Sequence, residues 1–151
     1  MANEARSLEL YGENSNGKAG RATINTTNAI AYGALLERRG DLTASLALAF
    51  TANETTSGAF IGICSREKVA GDDIAETGFF RDLCADLKAS GAITINTPVY
   101  CAGNNEIRSL PTAMNLLASS VLGIQLLNSM MVGIAEETAS DGEIIRVRIN
   151  K

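Results

Sequence analysis

The stretch Gly91–Ile107, GAITINTPVYCAGNNEI, limits this chain to a fold built on paired strands. Ile93, Ile95 and Thr97 fall on one face of an extended segment and Thr94 and Asn96 on the other, the two-residue period of a strand. Pro98 has no N–H, so it is tolerated at a strand start or edge but not at a central ladder position. Val99–Ala102 is a second extended piece. Gly103-Asn104-Asn105 reads as a tight turn, because Gly and Asn accept positive φ, and Glu106–Arg108 is expected to return antiparallel. The stretch is built for backbone pairing, not for chemistry.

The same stretch has an echo upstream. An offset of 71 residues lays GRATINT (Gly20–Thr26) on GAITINT (Gly91–Thr97), Gly62-Ile63 on Gly133-Ile134, and Gly71 on Gly142. Over residues 20–80 against 91–151 this gives 12 identities in 61 pairs. Chance composition gives about four, and such self-similarity bears on the whole fold. The expectation is two related β-units, with residues 1–19 forming an N-terminal arm and residues 20–151 a β domain.

Further strands are legible on either side. Leu42–Thr51 alternates strictly, with Leu42, Ala44, Leu46, Leu48 and Phe50 on one face, the pattern of a half-buried strand. Ala59–Cys64 is the next strand. A strand around Thr77–Phe80 is expected to run to Arg81. A short turn of helix should follow to Ala89, because Phe80, Leu83, Cys84 and Leu87 have helical spacing. Thr23–Glu37 suits strand pieces or a short helix, and Thr112–Ser119 a helix or a strand. Val121–Leu127 and Met131–Glu136 read as strands. The last strand places Ile145, Val147 and Ile149 on one face and Arg146 and Arg148 on the other. Short strands separated by Gly, Asn and Asp turns predict an all-β fold, a small barrel or sandwich-like domain with an extended N-terminal arm.

Composition narrows the function. There is no histidine among 151 residues, which removes His-based triads, bases and metal ligands. Cys64, Cys84 and Cys101 include no C-x-x-C pair and read as buried thiols in a reducing compartment. The acidic groups, Asp72, Asp73 and Glu76, then Asp82 and Asp86, then Glu136, Glu137, Asp141 and Glu143, lack the spacing of a Ca²⁺ loop and read as solvated surface. No catalytic residue, cofactor or metal is expected. The net charge of −4 offers no broad basic surface, so nucleic acid is not an expected partner. No run of about 20 apolar residues suits a membrane span, and no signal peptide is visible. Arg39-Gly40-Asp41 reads as a turn. In the polar arm, Leu8, Leu10 and Tyr11 are the sizeable apolar groups. They join Arg146 and Arg148 as candidate contact residues.

In sequence order come Gly78-Phe79-Phe80, GAITINTPVY, the short hairpin, Val132-Gly133-Ile134-Ala135 before an acidic pair, and DGEIIRVRIN. This series resembles the small capsid decoration (cement) proteins of tailed double-stranded DNA phages, over about residues 71–151. The second Gly of the family's G-x-I-x-x-G strand is replaced here by Asn96 or Thr97. The apolar stretch Leu110–Met131 is longer than the family's usual connection. The resemblance implies an all-β, non-enzymatic subunit on the outer surface of a capsid. It implies a homotrimer over local threefold positions, the major capsid protein as partner, and synthesis in the host cytoplasm. A phage tail or baseplate module is the alternative. A carbohydrate-binding β-domain is a lesser one, since with no Trp and three Tyr the chain has few rings to stack on sugars.

Overall fold

The computed structural model describes residues 6–8, 18–23, 29–38, 44–48, 59–70, 76–112, 114 and 119–149. They form two sheets and one helix. Sheet A contains β1 (Arg6–Leu8), β7 (Leu83–Ala89), β8 (Pro98–Gly103), β9 (Glu106–Ser109), β10 (Met131–Ala135) and β11 (Ile144–Ile149). Its order is β1-β7-β11-β10-β8-β9. Sheet B contains β2 (Lys18–Thr23), β3 (Leu35–Arg38), β4 (Ala44–Leu46), β5 (Ala59–Cys64) and β6 (Glu76–Arg81), in the order β2-β6-β5-β3-β4. The helix α1 spans Val121–Met130. The chain is an all-β domain of barrel and sandwich character, as its turn spacing predicts.

Sheet A closes on itself. β9 pairs parallel with β7, setting Lys88 opposite Glu106 and Ala89 opposite Ile107. The Ser90 N–H donates to the Ile107 carbonyl at 2.7 Å. Lys88 Nζ lies 2.8 Å from Glu106 Oε1 across this seam. Closure removes the edges that an open sheet leaves unpaired. β1 adds to the remaining part of the same β7 edge, with Leu8 opposite Cys84.

The two sheets share one plan. Leaving β1 aside, each runs first-fifth-fourth-second-third in chain order. Pairing register agrees as well. Ile63 lies opposite both Leu35 and Phe80, and Ile134 opposite both Pro98 and Arg148. A bulge falls at the same place in each, between Phe60 and Gly62 in sheet B and between Met131 and Gly133 in sheet A. The bridge Ile30–Lys68 in one matches Ile93–Ala139 in the other. Gly33 at φ 79° and Asn96 at φ 64° occupy equivalent turns, and each donates to an equivalent carbonyl, Cys64 at 2.9 Å and Ala135 at 2.8 Å. The offset between equivalent residues is 71 at Gly62 and Gly133, but 63 at Ile30 and Ile93 and 68 at Phe80 and Arg148. Loop lengths account for the difference. In particular, Leu110–Met130, which includes α1, connects β9 to β10 where residues 47–58 connect β4 to β5.

Burial follows the same plan. Val99, Ile107, Val132, Ala135 and Val147 belong to the main core, which Leu35, Phe60 and Ile63 of sheet B join. Their sheet B counterparts, including Leu36, Ala44, Cys64 and Phe79, form a second cluster with Ile30. A third cluster of Tyr100, Met114, Leu127 and Met130 lies under α1.

Four local expectations need correction. Ile93–Thr97 is not a continuous strand: Ile93 makes an isolated bridge. The chain then turns, with the Thr97 hydroxyl and N–H both donating to the Thr94 carbonyl, at 2.6 and 3.3 Å. Leu83–Ala89 is strand rather than helix. Asp82 at φ 54° breaks the chain between β6 and β7, so the i, i+3, i+4, i+7 spacing comes from two strands joined at a kink. Val121–Leu127 is helical: the Ser120 Oγ caps it by accepting from the Gly123 N–H at 3.0 Å, an arrangement typical of helix starts. In the described part of the Leu42–Thr51 strand, Ala44 is buried but Leu46 and Leu48 are exposed. β4 ends at Leu46 and pairs there with β3 at an outer position of sheet B. The hairpin itself is as expected, with Pro98 at the start of β8 and positive φ at Gly103, Asn104 and Asn105.

Candidate interaction surface

Alternation on the closed barrel divides its strands into two faces. Ile145, Val147 and Ile149 of β11 point inward; Ile144, Arg146 and Arg148 lie on the outer face and are exposed or half-buried. Beside them on β10 and β8, Ile134 is half-buried and Pro98 exposed. This outer face combines two arginines with aliphatic groups. It is bounded by acidic residues: Arg148 pairs through Nε and a terminal nitrogen with Glu136 Oε1, and the Arg146 N–H donates to Glu137 Oε2 at 2.9 Å. The arginine–glutamate ion pair is thus made by Arg148, whereas the Arg146 contact is made by its backbone N–H. Hydrogen bonding to Glu136, followed by its charge, pushes the Arg148 guanidinium above its ordinary pKa. Arg148 therefore stays charged at any physiological pH.

Of the other contact candidates, Leu8 lies in β1 against β7. Leu10 and Tyr11 lie outside the described residues. The structure thus brings Arg146 and Arg148 together on one face, and the strand registers place Leu8 in the same row as Arg148, both opposite Cys84 of β7.

The three cysteines are free and buried. The Cys84 thiol donates to Glu136 Oε2 at 3.6 Å. Burial, and then the Glu136 charge and this hydrogen bond, push its pKa up. Burial pushes the Cys101 thiol up to about 11. A raised pKa disfavours the thiolate that nucleophilic or redox chemistry needs. Among the described residues, no group of three Cys, Asp or Glu side chains is placed to hold a metal ion, and no helix is long and apolar enough to cross a membrane.

The Cys101 shift has a measurable consequence. The folded chain holds this proton more tightly than the unfolded chain, whose thiol titrates near 9. The associated stability is complete below pH 9 and is lost as pH rises through about 11. Two pK units correspond to a loss of about 3 kcal/mol at most. Tyr100, whose pKa burial also raises, adds to it in the same direction. Denaturant titrations from pH 8 to 11 should show falling stability, with a shallower fall in Cys101→Ala. An equal slope in the variant would contradict the assignment.

Two features escape a reading by alternation. Asn105, in the β8–β9 turn, reaches into the other sheet: its Oδ1 accepts from the Leu35 N–H at 2.7 Å, and its Nδ2 donates to the Gly33 carbonyl at 3.2 Å. Glu37, only 2% exposed, accepts from the Leu48 N–H at 3.3 Å and so holds the chain where it leaves β4. Neither partner is signalled by local sequence.

No protein-family model matches this chain, and no curated protein matches it. Among solved structures, the chain is similar to the head fiber gp8.5 N base of bacteriophage phi29. The match has 14% sequence identity, covers 88% of this chain and 95% of that chain, and has a TM-score of 0.48.

Proposed function

We propose that this protein is a non-enzymatic structural component of a tailed-phage virion. It binds the outer surface of the capsid as a homotrimer and stabilises the major capsid protein lattice. The observation that carries this reading joins sequence to structure. Three of the segments that resemble the decoration proteins, at Pro98–Tyr100, Val132–Ala135 and Ile144–Ile149, lie on β8, β10 and β11, which are neighbours in the closed barrel. Motifs spread over the 52 residues from Pro98 to Ile149 thus share one surface, which bears Arg146, Arg148, Ile134 and Ile144. The buried thiols, with pKa values raised at Cys84 and Cys101, favour structure over catalysis.

We take residues 1–19 as an arm that β1 anchors on sheet A and that runs into β2 at Lys18, and residues 20–151 as a domain of two related β-units. Leu8, Leu10 and Tyr11 supply the arm's apolar contacts. Ordering such a segment costs about 1–2 kcal/mol of backbone entropy per residue, which many repeated attachments on a lattice offset. Three copies on a threefold site each repeat one contact.

Co-sedimentation with purified undecorated heads tests the proposal. Binding is expected, and Arg146→Glu with Arg148→Glu should weaken it at least tenfold while leaving the fold intact by circular dichroism. A chain lacking residues 1–17, which leaves β2 whole, should show lower occupancy. Absence of binding at any salt concentration, with binding to tails instead, would replace this reading with the tail-module one.

A further inference from the structure

The two sheets carry one equivalent row of residues and use it differently. In sheet B, Ile63 stands between Leu35 and Phe80. All three join the main core, whose other members include the barrel residues Val99, Ile107 and Val132, and Leu35 and Ile63 are only 1% and 3% exposed. The equivalent row in sheet A is Pro98, Ile134 and Arg148. It faces outward: Pro98 is exposed, Ile134 is half-buried, and the Arg148 side chain is 59% exposed. A face that is an interface in one unit is thus presented to solvent in the other. Its centre is isoleucine in both, but where sheet B has Phe80, sheet A has Arg148. That arginine is also held in place. Its Nε donates to Glu136 Oε1 at 2.8 Å, and one terminal nitrogen donates to the same oxygen. The second oxygen of Glu136 accepts from the Cys84 thiol at 3.6 Å, and the Glu136 N–H donates to the Arg146 carbonyl at 2.9 Å. A guanidinium has five donors in a fixed fork, so this anchoring leaves donors for an acceptor outside the chain.

We infer that Arg148, positioned by Glu136, selects the partner of this face, and that the partner sets an Asp or Glu carboxylate against it beside an aliphatic side chain. The inference rests on the capsid reading above and adds the chemistry of the contact. Charge complementarity identifies the carboxylate: it matches the planar fork of arginine, and the charge-assisted bonds it makes are stronger than neutral ones. Pro98, Ile134 and Ile144, the last 69% exposed, supply aliphatic surface around the charge. The sheet B row shows what a wholly apolar partner selects, which is Phe80 at the position of Arg148. Holding the fork in advance reduces the side-chain freedom lost on binding, and this is the part Glu136 plays.

Co-sedimentation of the full chain with purified undecorated heads, repeated over a range of salt concentrations, tests the inference. Wild-type occupancy should fall as salt rises. Arg148→Phe, which copies sheet B, should bind about tenfold more weakly or worse. Arg148→Lys keeps the charge but loses the fork, and should fall between the two. Glu136→Ala separates positioning from charge. It removes a negative group beside Arg148, so charge alone predicts tighter binding to a carboxylate, whereas a positioning role predicts binding weakened severalfold. The substituted residues lie on the outer face, and circular dichroism should show each variant folded. Equal head binding by wild type and Arg148→Phe would overturn the carboxylate partner and leave the capsid reading standing. Tighter binding by Glu136→Ala would overturn the positioning role. If Arg148→Phe abolished self-association but not head binding, the carboxylate would belong to a second copy, and the head would be the wrong occupant. Heads that bind no form of the chain at any salt concentration would sink the capsid reading and this inference with it.

Discussion

Gly133→Ala should lower the stability of the fold by about 3 kcal/mol or more. A Cβ at this position would lie 2.2 Å from the Arg148 carbonyl oxygen, 2.9 Å from that carbonyl's carbon and 2.9 Å from Val147 Cγ1. Two of these three atoms are backbone of β11, which pairs with β7 on its far side and cannot retreat without opening the barrel. Overpacking a core with movable side chains costs about 1–3 kcal/mol; rigid backbone places this change at or above the top of that range. A domain's whole stability is about 5–15 kcal/mol. Gly62→Ala should act similarly, since its Cβ would lie 2.5 Å from the Phe80 carbonyl oxygen at a φ of +150°. Gly142 is the control: it has positive φ, +82°, but nothing within 4 Å. Alanine there should cost only the left-handed strain, about 1–2 kcal/mol. Urea midpoints of the three variants measure this ordering, and a Gly133→Ala midpoint equal to that of Gly142→Ala would refute it.

The second large effect is expected at Asn105. Alanine there removes both hydrogen bonds to the Gly33–Leu35 segment and puts a less tolerant residue at φ 61°. Leu35 is 1% exposed, so water does not readily replace the acceptor lost by its N–H. A buried donor left unsatisfied costs about 1–3 kcal/mol. Left-handed strain brings the loss to about 3–4 kcal/mol. Asn105→Gly relieves the backbone but not the hydrogen bonds, so it should fall between wild type and Asn105→Ala. Calorimetry gives the ordering. Amide hydrogen exchange at Leu35 gives the mechanism: it should speed up in both variants, and unchanged protection would show that this side chain does not join the two sheets.

Much of this fold is readable from local pattern, and the misreadings share a physical cause. β5, the β8–β9 hairpin, β10 and β11 are short runs with clear periodicity, bounded by Gly, Asn or Asp. β7 is obscured because Asp82, at φ 54°, kinks the chain between two strands of different sheets, fusing them into one apparent helical stripe. In Thr94–Thr97 alternation is present, but the turn bonds to the Thr94 carbonyl override it. At α1 the strand expectation rested on apolar content, whereas the Ser120 cap and the positions of Gly123, Leu127 and Met130 decide for helix. On the candidate surface, the arginine stripe of β11 was legible because it follows from alternation along one strand. The role of Asn105 was not, because its partners lie 70 and 72 residues away and nothing local announces them.

Two sheets with one register pose a sorting problem for the folding chain. Each penultimate strand, β5 or β10, meets two candidate last strands whose pairing geometry it can accept. Chain connectivity helps to separate them. The correct pairings close over short connections, residues 65–75 between β5 and β6 and residues 136–143 between β10 and β11. Pairing β5 with β11 would close over residues 65–143. The longer loop costs about 1.7 kcal/mol more in closure entropy, a bias of more than tenfold toward the native partner before any side chain has packed. Side chains then reinforce the choice: β11 carries Arg146 and Arg148 outward, where β6 has Phe80 against the main core. Kinetic partitioning between near-equivalent partners is a recognised route to misassembly in duplicated architectures. Here short connections make each sheet its own nucleus, so nearest-neighbour closure can outpace exchange between the halves.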